Sequence, residues 1–112
     1  MAEPLSPEAK ATLEALLTGP DPVSRALRAQ IPHARVTGHC GCGCATVDLT
    51  VDRTAVPPAP VTENPAADAW YAEPDDAGAL VFTKNGYLSS LEVYSSSGES
   101  VAVWPKPRFQ EG

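Results

Sequence analysis

The chain changes its hydrophobic period near Pro32: before it apolar residues recur every three to four positions, and after it they alternate with polar ones. In the first part, Ser6 at an N-cap position, Pro7 after it and Gly19-Pro20 beyond the end predict a helix from about Pro7 to Thr18. Leu13, Leu16 and Leu17 form its apolar stripe. A second helix restarts with Asp21 as cap and Pro22 in the first turn, and Val23, Leu27 and Ile31 follow at four-residue spacing until Pro32 ends it. A helical hairpin over about residues 7–31 follows, with Arg25 and Arg28 on its outer, solvated side.

After Pro32, Ala34, Val36 and Gly38 alternate with His33, Arg35, Thr37 and His39, the pattern of a half-buried strand. In the next strand, "CATVDLTV", the apolar set is Ala45, Val47, Leu49 and Val51, so the phase flips between residues 39 and 44. One unbroken strand over residues 34–52 would stretch roughly 60 Å at about 3.3 Å per residue, against a radius of gyration of about 13 Å for a domain of this size. A hairpin resolves the conflict. A two-residue loop at Gly41 and Cys42 sets Val36 opposite Val47 and His39 opposite Cys44, whereas the neighbouring register sets Val36 opposite Leu49.

Residues 53–76 are rich in proline. Pro57, Pro58 and Pro60 favour an extended polyproline conformation, and "ENPAADAWYA" predicts a short helix capped by Asn64. "ALVFTKNGYLSSLEVY" predicts a hairpin closed by a type I′ turn at Asn85-Gly86, with Leu80 opposite Leu91 and Phe82 opposite Ser89 on one face. Ala79, Val81, Thr83, Leu88 and Tyr94 take the other, which covers the hairpin on both sides. "SVAVW" predicts a last strand, and residues 105–112 an irregular tail. The expected fold is α+β: two N-terminal helices packed on an antiparallel sheet of about four to five strands, in a single domain spanning residues 1–112. Within it the sheet occupies about residues 33–104, interrupted by the long loop 53–76.

Composition narrows the possible partners. Aromatic residues are only 6% of the 112, so Trp70, Trp104, Phe82, Tyr87 and Tyr94 are the expected core anchors. Fourteen acidic against eight basic side chains give a net charge of -6, a field that repels nucleic acid and anionic membrane surfaces. Five of the acids, Glu63, Asp68, Glu73, Asp75 and Asp76, fall close together and form either a solvated loop or a docking surface for a basic protein. The start of the chain lacks a basic segment followed by an apolar run, and no window approaches the roughly 18 apolar residues of a membrane span. A cytoplasmic protein with reduced thiols is expected.

All three cysteines lie in "HCGCGC". His39, Cys40, Cys42 and Cys44 match a structural zinc site in number and type of ligand, but the usual spacing is two to four residues within a pair, with a second pair downstream. The hairpin also sends Cys40 toward the apolar face and Cys44 toward the polar one. The preferred reading is therefore a glycine-enabled turn with small, partly buried thiols. Thiol chemistry would need His39 beside Cys44, an orienting group for the imidazole and donors for an oxyanion. No catalytic residue or cofactor is assigned, and phosphate loops, G-x-S-x-G, H-E-x-x-H and calcium loops are absent.

"HCGCGCATVDL" together with "NGYLSSLEVYSSSGE" resembles an uncharacterised family of small bacterial proteins, over about residues 33–104. The resemblance implies antiparallel strands with a cysteine-rich turn and brings no activity. The expected function is a non-enzymatic protein-binding module using the acidic loop or a sheet edge. The alternatives are a metal-binding or thiol-reactive hairpin tip, and a small enzyme with its site between the long loop and the sheet.

Overall fold

The computed structural model describes residues 2–41 and 43–110. Both helices begin where their local chemistry places them. The Ser6 hydroxyl accepts a hydrogen bond from Ala9 N at 3.1 Å to open α1 (Pro7–Leu16), and Asp21 accepts from Ser24 N at 3.0 Å to open α2 (Pro22–Gln30). These bonds from Ser24 hold the Asp21 carboxyl below its usual range. A 3-10 turn, Ile31–His33, follows α2. Arg28, expected in solvent, instead donates to the carbonyls of Leu17 and, at 2.7 Å, Gly19. It satisfies acceptors that the end of α1 leaves open and joins the two helices.

The helices pack on a six-stranded antiparallel sheet in the order β1-β2-β3-β6-β5-β4. Its strands are β1 (Glu3–Pro4), β2 (Ala34–His39), β3 (Val47–Val51), β4 (Ala67–Trp70), β5 (Ala77–Lys84) and β6 (Tyr87–Ser95). Six strands replace the expected four to five. β1 is a two-residue edge beside β2, and β4 occupies the segment expected to be a short helix. There the Asn64 side chain caps no helix. It accepts from Thr83 N and donates to Thr83 O, both at 3.0 Å, so it takes the place of a ladder rung and starts β4 along β5. The expected strand "SVAVW" is irregular, because Val101 and Trp104 pack inward while Val103 is 73% exposed. The tail is partly paired: Ala72 N donates to Arg108 O and Gln110 N to Trp70 O, both at 2.8 Å. No helix among the described residues is long and apolar enough to cross a membrane.

Two bulges set which side chains face the helices. In β2, Val36 lies opposite Leu49, but Gly38 lies opposite Asp48, so Thr37 is an extra residue. The hairpin is thus the expected one, in the alternative register. Its tip is not the two-residue loop that pairs His39 with Cys44, since His39 lies opposite Val47. In β6, Thr83 pairs with Leu88 but Phe82 with Ser90, so Ser89 is extra. Leu91 therefore lies opposite Val81, not Leu80, and Tyr94 lies opposite Gly78, on the face away from Ala79 and Val81.

The core joins Leu13 of α1, its C-cap Leu17, Leu27 of α2 and Ile31 to Val36, Leu49, Val81, Leu88 and Leu91 of the sheet. Val56 and Ala59 bring the long loop to the same side. Of the expected aromatic anchors only Tyr87 is buried in this core, with Trp104 packed partly against it. The largest fully buried side chain is Tyr71, adjacent to Trp70 but turned to the inner face. Burial pushes its phenol above the ordinary range, with the Thr12 hydroxyl opposing the shift.

Gln30 is a fully buried polar side chain. Its Nε2 donates to Gly86 O at 2.8 Å and to Pro57 O at 3.4 Å, and its Oε1 accepts from Leu88 N at 2.9 Å. The Asn85-Gly86 turn that it grips has φ of 54° and 85°, as the type I′ expectation requires. A Cβ on Gly86 would also come within 2.7 Å of Ala59 O. Gly86→Val should lower the thermal midpoint markedly, because it adds a backbone clash to an unfavourable positive φ. Gln30→Met keeps the volume but strands buried groups, and should cost about 1–3 kcal/mol in denaturant unfolding; a midpoint equal to wild type would mean that water replaces the amide.

Candidate functional site

Two places in this fold bring distinctive side chains together: the cysteine hairpin tip and the outer face of the sheet. At the tip, Cys40 N donates to Thr46 O at 3.3 Å and Gly43 N to Cys40 O at 3.4 Å, extending the hairpin past β2 into a turn. Cys42 lies outside the described residues. Cys40, expected to face the core, is half-buried, and so is Cys44. The Thr37 bulge turns His39 to the side of Val47, away from the face carrying Arg35. There its Nε2 meets the Glu3 carboxylate of β1, with both side chains largely exposed.

His39 and Cys44 line a cleft of about 340 Å³ with Ser6, Glu8 and Trp104. Glu3 is the group that orients the imidazole, a partner that sequence could not name because it comes from an unforeseen edge strand. No bond joins His39 to Cys44 among the described residues. Nor do any three His, Cys, Asp or Glu side chains among them form a group able to hold a metal ion.

The outer face has a different chemistry. Its positions follow from alternation: Ala67 and Ala69 of β4, Ala77, Ala79 and Val81 of β5, and Leu91 and Val93 of β6 turn inward. Asp68, Trp70, Leu80, Phe82, Ser90, Glu92 and Tyr94 consequently turn outward. Across the strands they form rows, Asp68–Leu80–Glu92 and Trp70–Gly78–Tyr94, with Phe82–Ser90–Asp48 on the far side of Leu80. Neither core cluster includes Trp70, Leu80, Phe82 or Tyr94. The hairpin is expected to be covered on much of both faces; both helices and the long loop pack on the inner side, and on the outer side Leu80, Phe82 and Tyr94 are half-buried while Trp70 is exposed.

Trp70 is 41% exposed, and its ring meets Tyr94 edge-on, with centroids 5.3 Å apart and planes at 69°. The Tyr94 phenol is held above its ordinary range, first by burial and then by the negative charge of Asp68. Sequence reasoning assigned Trp70 and Tyr94 to the core. The signal that would have corrected it is the strand alternation Ala67, Ala69, Tyr71 against Asp68, Trp70.

The hairpin tip yields a direct test. Purified protein should carry no stoichiometric zinc by elemental analysis. One zinc per chain, with the thiols protected together until a chelator is added, would instead make the tip a metal centre.

No family model, curated protein or solved structure matches this chain.

Proposed function

We propose that this protein is a small non-enzymatic protein-binding module whose docking surface is the outer face of the β4–β5–β6 portion of the sheet. The observation that carries the reading is that the exposed Trp70 and the half-buried Leu80, Phe82 and Tyr94 stand together outside both core clusters, on a face that no helix among the described residues covers. A solvated face of an antiparallel sheet ordinarily carries polar side chains, and an apolar group rimmed by charge is a common mark of a binding site. Here the rim is acidic: Asp48, Asp68 and Glu92 lie on the same face, and Glu73, Asp75 and Asp76 lie in the turn joining β4 to β5. The partner is accordingly a protein surface that is apolar with basic side chains.

The sheet edges fit this role less well. β1 is two residues long and contains Pro4, and the end of β4 already pairs with the tail at Arg108 and Gln110. The cleft between the long loop and the β5–β6 turn offers little for catalysis, since Glu63 is the one titratable side chain among its lining residues.

Site-specific photo-cross-linking tests the reading. A photo-reactive phenylalanine analogue at Phe82 should capture a discrete partner in cells, whereas the same group at Glu14, exposed on α1, should not. The captured partner, once purified, should bind wild-type protein and lose affinity for Leu80→Ser/Phe82→Ser at unchanged thermal midpoint. Capture of nothing from position 82, or of the same proteins from both positions, would overturn it.

A further inference from the structure

We propose that Trp70, Tyr94, Asp68 and Glu92 form a receptor for an arginine side chain presented by the partner protein. The proposal rests on the outer face being the docking surface and adds what that surface recognises.

Gly78 makes the corner possible. Its neighbours Ala77 and Ala79 are buried in the core, so a side chain at position 78 would project from the outer face. A Cβ there would lie 2.6 Å from the Tyr94 hydroxyl oxygen and 2.7 Å from its Cζ, which means that the end of the Tyr94 ring rests on the Gly78 backbone. Trp70 lies opposite the same glycine from the other side. The rings meet as a corner and not as a stack. In an edge-on pair only one ring can present its face to the other, so aromatic face remains for a third group.

Carboxylates stand beside this corner in register. Asp68 precedes Trp70 by two residues and Glu92 precedes Tyr94 by two, so each shares its strand's outer face with the neighbouring ring, roughly 7 Å along. Burial first, and then the Asp68 charge, hold the Tyr94 phenol above its ordinary range. Among the described residues neither carboxylate has an ion-pair partner, and Lys106 and Arg108 line a separate cleft with Glu73.

An aromatic pair over a strand glycine has a purely structural use, since it shields backbone that lacks its own side chain. That use accounts for Tyr94 lying on Gly78. It does not call for two unpaired carboxylates, nor for a tryptophan left 41% exposed. A guanidinium answers all of these features, because its plane stacks on an aromatic face while its N–H fork donates to a carboxylate beside the ring.

The test uses ¹⁵N-labelled full-length protein titrated with a short glycine-flanked peptide containing two arginines, and with the same peptide carrying neutral citrulline in their place. The arginine peptide should shift the Trp70 indole N–H and the Gly78 amide saturably while leaving the Trp104 indole unmoved. The citrulline peptide should bind on the order of tenfold more weakly. Asp68→Asn should weaken the arginine peptide several-fold, and Trp70→Leu should abolish the Gly78 response, whereas Trp70→Phe should keep part of it. Equal affinity for the two peptides, or shifts confined to residues outside this corner, would overturn the proposal. If neither peptide binds while cross-linking from Phe82 still captures a partner, the arginine receptor falls and the docking face stands. If both fail, both fall.

Discussion

The amide of Gln30 decides which side of the sheet the rest of the chain occupies. It is buried at the end of α2, and its three hydrogen bonds reach the β5–β6 turn at Gly86 and Leu88 and the long loop at Pro57. The Gly86 carbonyl also accepts from Ala59 N at 2.8 Å, so helix, loop and turn converge on one oxygen. A buried amide left without partners costs more than the net value of the bonds it makes, which ties these three segments together more firmly than apolar contact alone. Because the loop is drawn to the helical side, its Val56 and Ala59 enlarge the inner core. Among the described residues, neither helix covers the other face, where Trp70 is exposed.

Two extra residues then decide what that face displays. Strict alternation from Leu88 onward would turn Ser90, Glu92 and Tyr94 inward and send Leu91 and Val93 to solvent. The Ser89 bulge reverses this, placing Leu91 opposite Val81 and Val93 opposite Ala79 in the core, and Tyr94 outside over Gly78. The Thr37 bulge does the same service at the far edge, turning His39 toward Glu3 and the cleft beside Cys44. Each surface thus owes its character to one unpaired residue in a strand.

What the sequence disclosed was what is local. Ser6-Pro7, Asp21-Pro22 and Asn85-Gly86 act within three or four residues, and the structure places the helix starts and the turn there. The phase flip also identified β2 and β3 as a hairpin, since Val36 and Leu49 must share a face. Features set by distant partners were hidden. Asn64 has the credentials of a helix cap, and only Thr83, nineteen positions away, makes it a strand initiator. Gln30 has the look of a polar residue on a helix end until Leu88 and Gly86 close around it. The outer aromatic corner needed both the β4 assignment and the β6 bulge, so its residues scattered among a presumed helix and a presumed core. The cysteines alternate with glycines over residues 40–44, and among the described residues, which leave out Cys42, the tip gathers no three side chains able to hold a metal ion.

The aromatic corner also answers a mechanical problem of the edge. β4 has four residues, and its inward side chains Ala67 and Ala69 bury few methyl groups, each worth about 0.8 kcal/mol at best. The Trp70–Tyr94 contact adds about 0.5–1.5 kcal/mol beyond its buried area, comparable to either alanine. The tail contributes again at the end of this strand, where Phe109 packs its ring against Tyr71 with centroids 4.9 Å apart. The end of the strand is therefore held by a large side chain on each side, Trp70 outward and Tyr71, the residue after β4, inward, with alanines before them. A partner seated on Trp70 would cover the exposed part of a contact that already fastens the edge, so binding and edge stability draw on one surface. Small residues on the inner side let β4 lie close to the helices, and the aromatic weight this displaces to the outer side is what makes that face adhesive.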